Sequence, residues 1–360
     1  MVIEFSPINE CAETQPFVEC HGVKLADEMD SETVEQIKQA LLTHGLVLFR
    51  NQADLTPQRE VDFNRAFGWH DPEQREFVFG FGAPGSGIKV RGGAQIPTLP
   101  EVSVLGNVLL EDYHGICNTQ LQSSLGLTFS GWHADGLHDM FDGMPEMSTM
   151  FNPEGWQSTS GGETCFTSGV RALERIAPEL RDELLRCVVA YLPYPNDDAP
   201  EDSRRVVSAH GFMVDEGTRR TGWAAHASDS AAGLLDFDVE PLHADGGGRH
   251  RCIRVHPDTG ASSLYISPGS AVCLLDLESG EVRHGVDETQ RLLSTALLPS
   301  ALPGVRYDHA WRGGDFVAWI NTLVLHSATD PSKTDGPRLL HRVRLSTPKT
   351  RWRNGRYTSY

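Results

Sequence analysis

Cysteine is scarce in this sequence and never paired. The seven thiols (Cys11, Cys20, Cys117, Cys165, Cys187, Cys252 and Cys273) show no CxxC spacing. An odd count without paired spacing argues against a disulfide framework or a zinc knuckle and fits a reducing compartment. Long apolar runs are missing too. No stretch approaches the length that spans a bilayer, and the opening MVIEFSPINECAE has no basic segment followed by an apolar one. The expectation is a cytoplasmic protein with no membrane partner. Basic residues are few: 31 Lys and Arg against 49 Asp and Glu, a formal net charge of −18. So negative a surface repels phosphate backbones, which argues against nucleic acid as a partner. A local basic pocket can still take a small anion.

What is present suits a globular enzyme. Hydrophobic residues make up 39% and charged residues 22% of the 360 positions, enough for a real core. The length suits one large domain, residues 1–360, with insertions and no internal repeat. Asp30-Ser31 predicts a helix start ahead of Val34, Ile37 and Leu41, with Gly45 ending it. A short apolar strand follows at Leu46 to Arg50. Thr56-Pro57 predicts a second helix that stops at Gly68. Further strands are expected at Val102 to Leu110, Leu127 to His133 and Gly162 to Ser168. Arg171 to Arg186 reads as helix restarted at Pro178. Ile253 to Val255 and Leu264 to Ile266 flank HPDTG as a hairpin. Val286 to Leu298 reads as helix, Asp315 to Leu325 as a β-rich run, and Leu339 to Ser346 as a final strand. Many short strands among a few helices predict a β-sandwich or jelly roll rather than a doubly wound parallel sheet.

Metal chemistry enters through HxD. Residues i and i+2 of a strand share a face, so one strand edge can present an imidazole and a carboxylate together. A histidine from a facing strand then completes a two-His-one-carboxylate set with three open positions on one side of the metal. The pattern alone is weak, because it occurs three times: His133-Ala-Asp135, His243-Ala-Asp245 and His256-Pro-Asp258. The second runs into Gly246-Gly247-Gly248 and reads as a loop. The third lies in the HPDTG turn. Only the first follows an apolar strand (LTFSGW) and precedes a Gly-Gly-Glu-Thr motif.

Several segments in order resemble the TauD/TfdA (taurine dioxygenase) family of Fe(II)/2-oxoglutarate-dependent dioxygenases. They are HGLVLFRNQADLTPQREVDFNRAFG, WHADG, GGETCFTS, HPDTGASSLYIS, GGDFVAWINTLVLHSA and GPRLLHRVRLS. The resemblance implies a mainly β fold with flanking helices, built on a double-stranded β-helix core of the clavaminate synthase-like kind. It implies Fe(II), 2-oxoglutarate and dioxygen as cofactor and co-substrates, with His133, Asp135 and His326 on the metal. Thr164 and Arg338 fall at the positions that hold the 2-oxoglutarate carboxylate, for which an arginine fork and a hydroxyl are suited donors. Arg342 falls near a position that can hold an anionic substrate group. Arg344 shares its strand face and is a further candidate, as is Arg91. The bland alternative for these arginines is a solvated basic strand edge.

The segment FVFGFGAPGSGIKVRGG lacks the Lys-Ser/Thr of a phosphate loop. Residues 77–125 are expected instead to form a lid that brings Lys89, Arg91 or His114 to substrate. The interval from Thr164 to His326 is long for the family, which predicts an insertion at about residues 193–251. Cys165 has no paired base in sequence and reads as a packing thiol. The carboxylate at Asp135 favours oxygen transfer over halogenation, where related enzymes lack it. The reading is hydroxylation of an unactivated C–H bond in a small, anionic or amino-acid-like molecule, with succinate and CO2 released. Desaturation or oxidative cyclisation, a non-catalytic jelly-roll binding protein and a zinc hydrolase remain alternatives, and homo-oligomerisation stays open.

Overall fold

The structure is a computed structural model, and it describes residues 3–8, 17–70, 93–121, 132–135, 145–191, 249–268, 271–302, 305–329 and 334–346. Two strands open the chain, β1 (Glu4–Pro7) and β2 (Val18–His21). Helix α1 (Ser31–His44) starts where the Asp30 carboxylate accepts from the Thr33 amide at 2.7 Å. It ends at Gly45, whose φ is +80°; a Cβ there would also meet Val324 at 2.9 Å. Strand β3 (Leu46–Phe49) leads to α2 (Pro57–Ala66), capped by the Thr56 hydroxyl with Pro57 in its first turn. Next come β4 (Gly93–Ile96), β5 (Leu99–Gly106), the hairpin β6 (Leu109–Tyr113) and β7 (Ile116–Gln120), then β8 (Pro145–Asn152) and β9 (Thr164–Ser168). Helices α3 (Gly169–Arg175) and α4 (Pro178–Leu185) are split at Pro178, as the sequence predicts. They precede β10 (Cys187–Tyr191), β11 (Arg249–Arg251), the hairpin β12 (Ile253–Val255) and β13 (Ser262–Leu264), β14 (Ala271–Asp276) and β15 (Val282–His284). Helix α5 (Val286–Leu297) runs into a single 3-10 turn holding Pro299. The last strands are β16 (Arg306–His309), β17 (Asp315–Ile320), β18 (Val324–Ala328) and β19 (Leu339–Ser346). Among the described residues, no helix is long and apolar enough to cross a membrane.

The strands sort into layers. The largest sheet has eight, in the order β1-β2-β3-β17-β8-β19-β5-β4, and only β2–β3 pairs parallel. One face packs on the helices: Phe63 of α2 meets Phe49 and Phe316 edge-on at 5.7 and 4.9 Å between ring centres. The other face packs on a three-stranded sheet, β16-β9-β18, where Trp319 of β17 meets Phe166 of β9 at 5.3 Å. Phe316, Trp319 and Phe166 are fully buried, and each such side chain contributes ~1.5–3 kcal/mol by leaving water. This is the mainly β, jelly-roll architecture that the short strands imply.

Register fixes what the inner face carries. Across the eight-stranded sheet, Leu46, Trp319, Ser148 and Arg344 lie in one row, and Val317, Met150, Arg342 and Ser103 in the next. His341 and Val343 alternate with the arginines and face the helices.

Two runs read as single strands are broken. Asp315 to Leu325 turns a corner at Asn321–Leu323, so β17 lies in the large sheet and β18 in the small one. Val102 to Leu110 breaks after Gly106, where a Cβ would sit 2.2 Å from the Arg338 carbonyl oxygen. Of the expected lid, residues 93–121 carry β4 to β7, and residues 77–92 and 122–125 lie outside the described residues. Of the expected insertion only Arg249–Arg251 is described, as β11 paired with β10. Of the expected strand before His133, only Trp132 and His133 are described.

Candidate metal centre and its anion pocket

His326 lies on β18, and His133 pairs with it as an isolated antiparallel bridge. The two residues exchange backbone hydrogen bonds of 3.1 and 2.9 Å, which sets their rings 4.3 Å apart at a 47° tilt. Asp135 is placed differently from the strand-alternation expectation, because it sits in a turn. Its amide donates to Asn321 Oδ1 at 2.8 Å, and Asn321 Nδ2 donates to its carbonyl at 2.7 Å. The corner between β17 and β18 therefore supplies the clamp for the carboxylate.

The Asp135 carboxylate is almost fully buried, and both oxygens are engaged. Arg344 Nη1 donates to Oδ1 at 2.6 Å, and Ser148 Oγ donates to Oδ2 at 2.8 Å. Burial works to raise the Asp135 carboxyl. Arg344, then His326, Arg342 and His133, overcome it and hold the group well below the ordinary carboxylate range. Burial, then His133, pushes the His326 imidazole well below its ordinary value, so it is neutral.

A cation fits this set. The three ligand atoms lie within 4.8 Å of one another. Oδ2 of Asp135 faces His326 Nε2 at 3.9 Å, too long for a hydrogen bond. His326 Nδ1 is buried with no hydrogen-bond partner among the described residues. A neutral imidazole, an ionised carboxylate and a second imidazole are the donors a two-His-one-carboxylate iron site requires. A second metal-compatible group, Glu183, Cys187 and His284, fits poorly. Arg283 grips both Glu183 oxygens at 2.6 and 2.9 Å, and burial pushes the Cys187 thiol up to about 11, away from the thiolate a metal needs.

The expected anion contacts lie close by. Thr164 is buried at the start of β9, and its hydroxyl accepts from Trp311 Nε1 at 3.0 Å. That leaves the hydroxyl proton to donate elsewhere. Arg338 Nε donates to the Gly162 carbonyl at 2.8 Å, and its backbone is tied to Asn107. Gly162 has φ +76°, and a Cβ there would sit 2.8 Å from Arg338 Cδ. Arg338 has no ion pair among the described residues, and burial lowers its pKa, with Glu163 partly offsetting this. Arg342 lies one row from Arg344 on the same sheet face. Arg91 and Lys89 lie outside the described residues. His114 is exposed and sits near His341, whose side chain points to the opposite face from Arg342 and Arg344.

Of the competing HxD motifs, His243-Ala-Asp245 lies outside the described residues. His256-Pro-Asp258 does turn the β12–β13 hairpin, but His256 itself is buried. Its Nδ1 accepts the Asp258 and Thr259 amides, and its Nε2 lies 2.6 Å from Glu146 Oε1. Cys165 is buried, which pushes its thiol far up, in line with a packing role. Sequence reasoning did not find Ser148, Asn321, Trp311 or Glu146, since each acts through register or a corner.

The chain is similar to known proteins over most of its length. The family model "Taurine catabolism dioxygenase TauD, TfdA family" matches residues 4–344. An α-ketoglutarate-dependent xanthine dioxygenase of Emericella nidulans is 25% identical, over 86% of this chain and 87% of that one. An (S)-phenoxypropionate/α-ketoglutarate dioxygenase of Sphingobium herbicidovorans is 27% identical, over 86% and 84%. A solved taurine dioxygenase from Burkholderia xenovorans shares the fold, with a TM-score of 0.60 at 21% identity over 96% and 90%. The chain belongs to the TauD/TfdA dioxygenase family, and it is an oxidoreductase.

Proposed function

We propose that His133, Asp135 and His326 hold the iron of an Fe(II)- and 2-oxoglutarate-dependent dioxygenase acting on a small anionic molecule. The observation that carries the reading is the bridge that puts His133 beside His326 while Asn321 turns Asp135 toward them. Thr164 and Arg338 hold the distal carboxylate of 2-oxoglutarate. The Thr164 hydroxyl has a proton left to donate, and the Arg338 fork is oriented by Gly162. Arg342 faces the same side and takes the anionic group of the substrate.

When bound, the iron supplies dioxygen chemistry in which 2-oxoglutarate becomes succinate and CO2, one oxygen atom enters succinate and the other enters a C–H bond. The residues of the chain bind, orient and exclude water. Trp319 packs on the His326 ring at 5.0 Å and closes the site on the sheet side. Arg338 and Arg342 make a local positive field inside a protein of net charge −18, which draws small anions in. A small, anionic substrate accords with the carboxylate named for the phenoxypropionate relative. Cytoplasmic action fits the free cysteines among the described residues.

Anaerobic addition of Fe(II) and 2-oxoglutarate to the protein tests the reading through the visible charge-transfer band of the chelate. The band is expected in wild type, lost in His133→Ala and weakened in Arg338→Ala. Its absence from wild type, with zinc bound tightly, would favour a hydrolase.

A further inference from the structure

The sequence offers Arg344 as a substrate arginine, but its neighbours give it another task. We infer that Arg344 is a positioning residue that keeps the Asp135 carboxylate bound to the metal through one oxygen only, so that a coordination position stays open for dioxygen. The inference rests on the proposed metal site and deepens it.

Arg344 lies in the row Trp319, Ser148, Arg344 of the large sheet, directly beneath the ligands. Its Nη1 is 2.6 Å from Asp135 Oδ1, its side chain is 10% exposed, and that of Asp135 is 3% exposed. A charge-assisted bond this short in a dry setting is strong. The other oxygen, Oδ2, is the one that faces His326, and the Ser148 hydroxyl leaves it further lone-pair capacity. The two oxygens therefore have separate duties: Oδ1 is committed to Arg344, and Oδ2 is offered to the cation. Two imidazoles and one carboxylate oxygen leave three positions, of which the bidentate oxo-acid uses two and dioxygen one. If Asp135 turned both oxygens to the metal, it would remove one of those positions. Lysine does the same work less well, since its ammonium is a strongly hydrated point charge on a flexible stem and lacks the rigid planar group that presents Nη1 to Oδ1.

The test uses the full-length protein with Mn(II) alone and then with 2-oxoglutarate. It reads water-proton relaxation, which reports exchangeable water on the metal, and the 2-oxoglutarate dissociation constant. Wild type, Arg344→Met and Arg344→Lys are compared. In Arg344→Met the relaxation enhancement of the Mn(II)–2-oxoglutarate complex is expected to fall about twofold or more, as the remaining open position is lost. Its 2-oxoglutarate dissociation constant is expected to rise about tenfold, a difference of ~1.4 kcal/mol, because the chelate then competes with the second carboxylate oxygen for a position. Arg344→Lys is expected to fall between the two. If Arg344→Met does not fold, Arg344→Gln takes its place with the same readouts, because its shorter, uncharged side chain withdraws from Asp135 Oδ1 while keeping a polar group in the site. Unchanged relaxation and an unchanged 2-oxoglutarate constant, with only the KM of the primary substrate altered, would overturn the inference and return Arg344 to the substrate. Failure of wild type to bind Mn(II) would instead overturn the metal reading itself.

Discussion

The Asn321 side chain closes a ring with the main chain of Asp135, accepting from its amide at 2.8 Å and donating to its carbonyl at 2.7 Å. Both residues are buried. Asn321 also stands at the corner where the chain passes from the large sheet to the small one, six positions' worth of β17 on one side and His326 on β18 on the other. One amide therefore ties two of the proposed ligands together.

Asn321→Ala is expected to destabilise the protein by about 2–4 kcal/mol, because it leaves a buried amide and a buried carbonyl without these partners. Metal affinity is expected to weaken about 10- to 100-fold. Chemical unfolding and metal titration measure the two effects separately. Unaltered metal affinity would show that Asp135 is held by Arg344 and Ser148 alone.

Gly162→Ala should act on the anion pocket and spare the metal. The new methyl would fall 2.8 Å from Arg338 Cδ and 3.1 Å from its Nε, at a φ of +76°. Left-handed backbone costs a residue with a Cβ roughly 1–2 kcal/mol, and the guanidinium must shift as well. The 2-oxoglutarate dissociation constant should rise about tenfold, the equivalent of ~1.4 kcal/mol, while Mn(II) affinity stays within about twofold. Titration of each ligand in turn separates these outcomes.

The buried pair His256–Glu146 is a structural strut between the β12–β13 hairpin and β8. His256 Nδ1 accepts two backbone amides, which puts its proton on Nε2, facing Glu146. His256→Ala is expected to cost about 3–5 kcal/mol, since it removes one partner of a buried pair and empties its place between the hairpin and β8. Glu146→Gln keeps an acceptor oxygen and should cost only ~1 kcal/mol. Urea unfolding midpoints give both, and equal losses would contradict a charged strut.

Acid stability should depend on Glu183. Hydrogen bonds from Arg283 first, then His284, hold its pKa at about 2, against 4.5 for an ordinary glutamate. A depressed folded-state pKa means the unfolded chain takes up the proton first as pH falls. The stabilisation is thus complete above about 4.5 and is lost between there and about 2. Glu183→Gln should flatten the pH dependence of thermal stability in that window and leave it unchanged near neutrality in slope. The group is partly exposed, so solvent screens the effect and it should be modest.

Much of the architecture could be read from local chemistry. Asp30, Thr56, Pro57 and Gly45 mark helix ends through hydrogen bonds and backbone geometry that involve near neighbours, and the helices start and stop where they stand. Pro178 splits α3 from α4 for the same reason. The HxD motif alone does not choose among three candidates; the family resemblance carried by the ordered segments names His133, Asp135 and His326, which the fold brings together.

The sequence alone therefore determined helix ends and a β-rich chain, because periodicity and capping are local properties, and its ordered motifs carried the family resemblance that implies the donor set and the arginines. The tertiary structure decided which group each of those residues meets. DFVAWINTLVL carries no signal for the corner at Asn321, since continuous apolar residues suit one buried strand as well as two. Arg342 and Arg344 alternate identically along β19, and only the pairing of β19 with β8 sets Arg344 beside Ser148 and against Asp135. His256 reads as a turn residue until β8 brings Glu146 to it from 110 positions away. Contacts of that kind depend on sheet register, which the hydrophobic pattern of many strands fixes collectively and no single segment encodes.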